Sequence, residues 1–203
     1  FYNETSTSAV YPTPVIGMVG VLDDLSQKTT LDYKNEGDFI VTIGMLNGSL
    51  GGSEYLKTIY NRIEGPIANI NMRNESSVQA MCLEAIENDL INSAHDLSDG
   101  GLAVNIAESV MFSQDKLGAS LNLVRKLEDV ELLFGECPSV FIVTISQSDL
   151  YDLVVLAKKH DVHTQTIGKV TDDSMLKIND KISINKQKLS EKYFTSLEMI
   201  LKS

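Results

Sequence analysis

The segment of the chain whose residue types are best suited to binding a ligand spans residues 95–102, which read His-Asp-Leu-Ser-Asp-Gly-Gly-Leu. It combines three oxygen-bearing side chains with two adjacent glycines: Asp96, Ser98, Asp99, Gly100 and Gly101. Carboxylate and hydroxyl oxygens are the ligands that hard cations prefer, and glycines let a ligand approach the backbone closely. The combination predicts a loop that binds a phosphate or a metal–nucleotide complex.

An amphipathic helix is predicted directly after this loop. Apolar residues recur at helical spacing from Leu102 onwards, whereas Asn105, Glu108 and Ser109 are expected to face solvent. The first N–H groups of such a helix favour a bound anion, which fits the phosphate interpretation. The alternative is structural: Asp99 caps the helix and the two glycines make a tight turn.

The charge around the loop restricts the ligands that it can take. The formal net charge is -11, and residues 74–115 contain eight acidic residues but no lysine or arginine. A phosphate bound here needs a cation to offset its charge, and Mg²⁺ with Asp96 as a ligand is the natural candidate. For most of these acidic residues a solvated helix face is the alternative. The acidity excludes nucleic acid and anionic membranes as partners, since both require clustered Lys and Arg.

A second glycine-rich stretch lies at residues 44–53 and makes the best domain boundary in the chain. It ends in Gly51, Gly52 and Ser53, and it opens a short helix that is predicted over residues 54–63. The amides of these three residues are candidates for receiving a phosphate at the helix N-terminus. The alternative is a flexible interdomain turn in which Ser53 caps the helix.

Composition and the start of the chain indicate the cellular context. The two cysteines, Cys82 and Cys137, lack the spacing of a metal site and fit a reducing cytoplasm. No apolar run reaches the roughly 20 residues that span a bilayer. The chain starts at Phe1 without an initiating Met or a signal sequence. We therefore expect a fragment of a longer cytoplasmic protein.

Two apolar strands are predicted in the N-terminal part, at Val15–Leu22 and Phe39–Ile43. They are expected to form a hairpin or neighbouring strands and to complete a sheet whose remainder lies upstream of Phe1. In an isolated chain they would expose unpaired edges, which predicts a homodimer in which the strands of two copies pair. The alternative is a monomer in which residues 1–45 fold back on the C-terminal domain.

The rest of the chain predicts an α+β fold with a mixed sheet covered by helices. A capping box formed by Ser76 and Gln79 predicts a helix that runs to about Ile91. The later elements are strands at 119–124, 140–145 and 162–170, a helix at 147–159, a hairpin at 175–184 and a closing helix from Leu189.

Four motifs occur in an order that matches a known enzyme family. They are Phe-Tyr-Asn-Glu-Thr from Phe1, Tyr-Pro-Thr-Pro-Val-Ile-Gly from Tyr11, Gly-Gly-Ser-Glu-Tyr from Gly51 and the eight-residue loop from His95. Together they resemble the C-terminal part of phosphoribosylformylglycinamidine synthase, the synthetase subunit of the small bacterial type, in the aminoimidazole ribonucleotide synthetase superfamily. The resemblance covers the whole chain.

The resemblance implies an ATP-dependent ligase of de novo purine biosynthesis. The family converts formylglycinamide ribonucleotide, ATP and glutamine-derived ammonia into formylglycinamidine ribonucleotide, ADP and phosphate. The amide oxygen is phosphorylated and ammonia then displaces phosphate, while Mg²⁺ stabilises the developing charge. The implied partners are a glutamine amidotransferase subunit, which supplies the ammonia, and a small bridging subunit.

The resemblance also implies how the chain is divided. Residues 1–45 would be the tail of the second N-terminal, ATP-binding subdomain, residues 46–69 a glycine-rich linker with a short helix, and residues 70–203 the C-terminal domain. The catalytic residues of the family lie upstream, so we expect none in this chain and no activity of the chain alone. Asn3 and Glu4 are expected at the exit of a ligand-binding turn, where a structural role is the alternative.

Individual site residues follow from the same resemblance. In related large single-chain enzymes the position of Asp96 contacts Mg²⁺ and that of Ser98 contacts nucleotide, while a structural cap is the alternative for Asp96. His95 is expected to be hydrogen-bonded rather than a general base, because no nucleophile is identified near it. The motif at residues 134–140 keeps its Glu and Ser but has Val140 in place of the family's Arg, which removes a bidentate anion contact.

The alternative function is a non-catalytic assembly module of a related superfamily ATP enzyme. Such a module would hold the halves of the enzyme together or dock the glutaminase, and it would bind no Mg-ATP. The Tyr-Pro-Thr-Pro and Gly-Gly-Ser-Glu-Tyr motifs disfavour the other enzymes of the superfamily, among them aminoimidazole ribonucleotide synthetase and thiamine-monophosphate kinase.

Overall fold

A computed structural model of the chain describes residues 3–10, 13–114, 116–124 and 128–202. The strands are β1 (Asn3–Glu4), β2 (Ala9–Val10), β3 (Phe39–Ile43), β4 (Ser93–Asp96), β5 (Gly118–Leu121), β6 (Phe141–Ile145), β7 (Thr164–Thr171), β8 (Met175–Ile178) and β9 (Ile182–Asn185). The helices are α1 (Glu54–Tyr60), α2 (Met72–Glu87), α3 (Gly101–Phe112), α4 (Asp129–Phe134), α5 (Leu150–His160) and α6 (Lys186–Lys202), with a 3-10 turn at Leu25–Gln27.

Seven of the strands form one mixed sheet, in the order β4-β6-β3-β7-β5-β8-β9. Its neighbouring strands are antiparallel except for β5 and β8, which are parallel. Strands β3 and β6 have the same sequence, Phe-Ile-Val-Thr-Ile, and pair with Val41 opposite Val143. Apolar and β-branched residues at consecutive positions make both faces of these strands apolar, so the sheet needs cover on both sides.

Helices provide this cover on both faces of the sheet. On one face α3 and α4 pack against each other and against strand residues such as Ile40 and Ile142. On the other face α2 and α5 pack against Val41, Ile43 and Val143. Because successive residues of β3 enter different cores, this strand joins the two layers. The predicted α+β fold with a mixed sheet covered by helices is confirmed.

The position of β3 corrects one expectation. Phe39–Ile43 pairs with β6 on one side and β7 on the other, so the expectation of sheet partners upstream of Phe1 is wrong. The strand lies within the sheet of the C-terminal part, because β6 and β7 supply hydrogen-bonding partners on both of its edges. The predicted division of the chain after residue 45 stays a prediction.

The other expected N-terminal strand does not form. Residues 15–22 have no regular secondary structure, and the side chains of Val15 and Val19 are 95% and 100% exposed. The predicted hairpin between residues 15–22 and 39–43 is therefore wrong. The run has the composition of a strand, but a strand also needs a partner for its backbone groups, and the sheet pairs β3 with other strands.

Helices α1 and α2 show where a capping pattern in the sequence predicts the helix start correctly and where it does not. Helix α1 begins after Ser53, whose hydroxyl oxygen accepts a backbone N–H of the first turn, as predicted. Helix α2 begins earlier than expected, at Met72, and Asn71 is its N-cap. The predicted capping box of Ser76 and Gln79 is wrong, because both residues lie inside this helix. Asn71 performs the same task by accepting two backbone N–H groups.

Helix α3 follows the predicted loop, but its polar residues are less exposed than expected. The N-cap is Gly100 in a left-handed conformation, so the alternative that assigned this position to Asp99 is wrong. Asn105 and Ser109 are buried, contrary to the expectation that they face solvent. The side-chain amide of Asn105 donates to the backbone oxygen of Asp96 at 2.7 Å. A short polar side chain can therefore enter the core where backbone acceptors are available.

The remaining predicted elements form within a few residues of their expected bounds, whereas β1, β2, β4 and α4 were not predicted. The hairpin of β8 and β9 and the closing helix α6 form as expected. No helix in the described part of the chain is long and apolar enough to cross a membrane. Cys82 and Cys137 are free thiols, and both are buried.

Candidate functional site

Three loops meet beside the N-termini of α1 and α3. They comprise residues 48–54, 98–101 and 134–139 and are called the loop junction here. Glu136 joins all three, because its backbone pairs with Ser49 in both directions, at 2.9 and 3.3 Å. Its carboxylate oxygen Oε1 accepts the backbone N–H of Glu54 at 2.8 Å and that of Gly100 at 2.9 Å. The two glycine-rich loops found in the sequence are therefore held by one side chain.

Close packing in the loop junction depends on several glycines, of which Gly51 and Gly101 are examples. Gly101 has a φ of +69°, and a Cβ there would lie 2.7 Å from the carbonyl carbon of Phe134. A Cβ on Gly51 would lie 1.9 Å from the carbonyl oxygen of Pro66. Such contacts are too short for any other residue. The ring of Tyr55 stacks on that of Phe134 with centroids 5.1 Å apart, so two family motifs touch directly.

Several groups predicted to cradle a phosphate already have partners inside the protein. The N–H of Gly52 donates to the carbonyl of Glu64, and that of Gly101 donates to the carbonyl of Ser98. The hydroxyl of Ser53 donates to a carbonyl three residues earlier and accepts an N–H three residues later, as a helix cap does. A phosphate on these groups would have to replace existing hydrogen bonds.

A cavity of 360 Å³ lies at the loop junction. Gly51 and Gly52 line it from one loop, Ser98 and Asp99 from the second, and Glu136 from the third. The side chains of Ser98 and Asp99 are exposed. Their oxygens are therefore within reach of a ligand that enters this cavity.

A larger cavity of 660 Å³ adjoins the first one, since the two share Ile67, Ala68, Cys137 and Pro138. Its polar wall consists mainly of asparagines, namely Asn47, Asn69, Asn71 and Asn74. Among the described residues that line it, none is charged. Amide side chains both donate and accept hydrogen bonds, so this cavity suits a polar, uncharged group. Burial raises the pKa of the Cys137 thiol, which keeps this part of the wall neutral.

Asp96 is placed apart from the loop junction. Its side chain is 65% exposed and lines a different cavity together with residues 29–32 and Phe112. Its Oδ1 is 3.5 Å from Nδ1 of His95, and the other ring nitrogen of His95 is hydrogen-bonded to Glu108 at 2.9 Å. The expectation that His95 is hydrogen-bonded is confirmed. Within the described ranges, no group of three or more His, Cys, Asp or Glu could hold a metal ion.

The side chains of the loop junction carry a negative charge overall. Glu54, Asp99 and Glu136 are acidic, and Lys57 is the cation beside them, with its Nζ 2.7 Å from Oε1 of Glu54. The hydrogen bond with Glu54 raises the pKa of Lys57, and the charge of Asp99 adds to this effect. A phosphate in the adjacent cavity would therefore be bound most readily together with a cation.

Three residues of the motif at residues 134–140 lie in different surroundings in the structure. Val140, which replaces the family's Arg, is buried in the core on the α3 face. Ser139 donates a hydrogen bond to Glu75 of α2. Glu136 organises the loop junction, a role that sequence reasoning did not assign. The motif match was the only available signal, because the two N–H groups that Glu136 accepts are distant in sequence.

The first two family motifs lie partly outside the described residues. Phe1, Tyr2, Tyr11 and Pro12 belong to this part, as does Asp115 of the acidic stretch. In the described remainder, β1 pairs with β2 in an antiparallel register.

The sheet and the loop junction define the class to which the chain belongs. Residues 35–181 match the family described as AIR synthase related protein, C-terminal domain, and the chain is a member of that family. The matched range includes the loop junction and every strand of the seven-stranded sheet except β9.

Two curated relatives are subunits of a particular enzyme, as the sequence motifs predicted. The chain is 41% identical over 170 residues to phosphoribosylformylglycinamidine synthase subunit PurL of Thermoanaerobacter sp. (strain X514), covering 83% of this chain and 23% of that protein. It is 34% identical over 206 residues to the same subunit of Alkaliphilus metalliredigens (strain QYMF), covering 100% of this chain and 28% of that protein. The chain thus spans about a quarter of the length of these relatives.

Solved structures of low sequence identity share the fold. T. maritima PurL complexed with FGAR has a TM-score of 0.67 at 19% identity, covering 82% of this chain and 30% of that one. T. maritima PurL complexed with ATP has a TM-score of 0.62 at 20% identity, covering 82% and 28%. The structure of PurLQS from Thermotoga maritima has a TM-score of 0.61 at 21% identity, with the same coverage of 82% and 28%.

Proposed function

We propose that this chain is the C-terminal part of the synthetase subunit of phosphoribosylformylglycinamidine synthase. In this role it belongs to the ligase that converts formylglycinamide ribonucleotide, ATP and glutamine-derived ammonia into formylglycinamidine ribonucleotide, ADP and phosphate. The observation that carries the proposal is the loop junction, where the glycine loops at residues 51–54 and 98–101 meet at one cavity. Identity to curated PurL subunits over most of the chain supports it.

The contribution of this chain to the reaction is ligand binding rather than catalysis. The hydroxyl of Ser98 is exposed at the smaller cavity and can accept or donate a hydrogen bond to a nucleotide. Gly51 and Gly52 line the cavity beside it, and Ser53 holds the α1 end of the wall. Gly100 and Gly101 support the loop that carries Ser98, because their lack of a side chain permits its close packing on the protein. The asparagine-lined cavity next to it suits sugar hydroxyls or an amide. The solved complex of T. maritima PurL with ATP supports a nucleotide ligand.

Asp96 is the residue that would hold Mg²⁺. Magnesium is commonly bound by one or two carboxylates together with substrate phosphates and water. The exposed carboxylate of Asp96 fits this pattern, but the described residues around it do not complete a ligand set. The remaining ligands would come from phosphate oxygens and from the rest of the subunit. The ion would neutralise phosphate charge near an acidic part of the chain.

The partners follow from the same assignment. The whole subunit would assemble in the cytoplasm with a glutamine amidotransferase subunit and a small bridging subunit, and the solved PurLQS structure supports a multi-subunit assembly. In the isolated chain, the exposed apolar side chains of residues 15–22 would be covered by a second copy.

Nucleotide binding by the full-length subunit tests the assignment. Asp96→Asn removes the charge and keeps the shape, so Mg²⁺-dependent ATP binding measured by calorimetry is expected to weaken by about tenfold or more. Asp172→Asn is the matched control, because Asp172 is also exposed but lies far along the chain in the turn after β7. Unchanged ATP affinity together with an unchanged melting temperature would remove Asp96 from both the binding and the structural role.

The isolated chain provides a second test. It is expected to show no synthetase activity with ammonia, ATP and formylglycinamide ribonucleotide, because the catalytic residues of the family lie outside it. ADP release above that of a vector control would contradict the assignment of this chain as the non-catalytic part.

A further inference from the structure

One carboxylate in the loop junction serves neither of the proposed ligands. The Oε1 atom of Glu136 accepts two backbone N–H groups, from Glu54 at 2.8 Å and from Gly100 at 2.9 Å. Glu54 is the first residue of α1, and Gly100 is the N-cap of α3. Both N–H groups belong to helix starts, where the backbone favours negative charge. A side chain of the protein thus accepts both N–H groups and places a negative charge at the two helix starts.

The backbone of the same residue is held as firmly as its side chain. Its N–H donates to the carbonyl of Ser49 at 2.9 Å, and its carbonyl accepts the N–H of Ser49 at 3.3 Å. Gly101 packs against the backbone of Phe134 and Gly135 immediately before it. Glu136 is therefore fixed with respect to the first glycine loop by its main chain and contacts both glycine loops by its side chain.

We propose that Glu136 is a positioning residue, whose carboxylate couples the two glycine loops and sets the width of the 360 Å³ cavity between them. The inference rests on the proposed function, since the ligand of that cavity is taken to be a nucleotide. Because Glu136 satisfies the N–H of Gly100, the phosphate of the ligand is not held by that amide. The ligand instead meets the side chains of Ser98 and Asp99, which are exposed at the cavity.

The charge of Glu136 matters beyond its shape. A carboxylate is a stronger hydrogen-bond acceptor than a neutral amide, and it also interacts with the dipoles of both helix N-termini. Glu136→Gln keeps an acceptor of the same size, whereas Glu136→Ala removes it. The two variants should therefore differ in degree, with the Gln variant between the Ala variant and the unsubstituted protein.

The test uses the full-length subunit and two measurements. Hydrogen exchange followed by mass spectrometry measures the exchange rates of the backbone amides in residues 49–56 and 97–102. Calorimetric titration with Mg-ATP measures the affinity of each nucleotide site. Glu136→Ala is expected to speed exchange in both segments by about tenfold to a hundredfold and to weaken one ATP site by a similar factor, which corresponds to the loss of charged hydrogen bonds. Exchange in the core strand at residues 141–145 should not change.

Glu128→Gln is the matched control, because Glu128 is exposed at the start of α4, outside the loop junction, and its side chain makes no capping hydrogen bond to that helix. It should leave exchange and affinity unchanged. If Glu136→Ala does not fold, Glu136→Gln carries the test with a smaller shift in the same direction.

Two results overturn the inference: exchange that stays slow in either glycine loop, and exchange that accelerates in both while every ATP affinity stays the same. If the unsubstituted subunit binds no Mg-ATP in this titration, the proposed function fails instead. The exchange measurement then still decides whether Glu136 couples the two loops.

Discussion

Two apolar stretches of similar composition have opposite fates in this protein. Phe39–Ile43 is a strand with partners on both sides, and four of its five residues are buried. Residues 15–22 are equally apolar, yet they form no regular secondary structure and their large side chains are exposed. The difference lies in the surroundings of each stretch rather than in its composition.

The comparison teaches that an apolar run becomes a strand only where the fold offers partners for its backbone. Strand β3 lies between β6, which has an identical sequence, and β7, and both of its faces enter a core. Residues 15–22 contain Gly17 and Gly20, which have no side chain to pack and weaken a strand. In the described structure nothing comes within 4 Å of a Cβ placed on either glycine.

The largest expected difference in stability is between two Ile→Ala substitutions, one in each apolar stretch. Ile43→Ala should lower the free energy of unfolding by about 2–5 kcal/mol, because Ile43 is fully buried and its loss leaves a cavity. Ile16→Ala should change it by no more than about 0.5 kcal/mol, since Ile16 is exposed. Urea denaturation of the chain measures both. A large loss for Ile16→Ala would show that residues 15–22 pack in solution.

A glycine substitution extends the comparison to the loop junction and should have an intermediate effect. Gly101→Ala requires a left-handed alanine and a contact of 2.7 Å with Phe134, so we expect a loss of about 1–3 kcal/mol. Gly17→Ala meets open space and should be neutral or slightly stabilising. Thermal unfolding resolves this, because about 1 kcal/mol shifts the melting temperature by about 2–4 °C in a chain of this size. Equal melting temperatures would contradict the close packing of Gly101.

Removal of the exposed stretch tests whether it makes contacts between copies. Deleting residues 1–27 keeps residues 30–33, where the Thr30 carbonyl accepts the N–H of Ala94 and the N–H of Tyr33 donates to Ser113. The melting temperature should barely change, while the particle mass in light scattering should fall from that of a dimer to that of a monomer. Monomers before and after the deletion would rule out the proposed dimer.

The smallest expected effect is a pH dependence that separates a tertiary contact from a local one. Hydrogen bonds from Lys159, and then from His160, lower the pKa of Glu84 and join α2 to α5. Hydrogen bonds from Ser26, only two residues away, lower the pKa of Asp24. A lowered carboxyl pKa adds stability above the unfolded-state pKa, and that stability is lost as the pH falls through the folded-state pKa.

Glu84→Gln should therefore lower the melting temperature slightly at neutral pH, and the difference from the unsubstituted chain should vanish below the usual carboxyl range. Asp24→Asn should have no measurable effect at any pH, because its contact orders only the 3-10 turn. Melting curves across the acidic range distinguish the two variants. A Glu84→Gln difference that persists at low pH would mean that the carboxylate charge is not its cause.

The sequence predicted much of the fold because its signals were local. Hydrophobic periodicity located most helices and strands of the C-terminal part but missed α4, and Ser53 was identified as a cap. Failures occurred where a pattern had two interpretations, as with the false capping box at Ser76. Asn105 was predicted to be exposed to solvent because its side chain is polar. The sequence pattern did not indicate that the backbone oxygen of Asp96 would accept a hydrogen bond from it.

The candidate site divides in the same way. The motifs at residues 51–55 and 95–102 were recognised from their composition and order, and so was the resemblance to a ligase family. The separation of Asp96 from Ser98 and Asp99 was not predicted, since all three lie in one eight-residue segment and yet line different cavities. A β-strand that ends at Asp96 and a turn that follows it direct the side chains to different places.

The sequence by itself determined the periodicity of the elements, the glycines that permit close approach and the motifs of the family, because each of these depends on neighbouring residues. Only the tertiary structure decided which apolar run enters the sheet and which carboxylate joins the glycine loops. Phe39–Ile43 and Glu136 both find their partners many residues away. Such pairings depend on the fold of the whole chain. Every residue offers similar backbone hydrogen-bonding groups, so the sequence alone does not specify which residues pair.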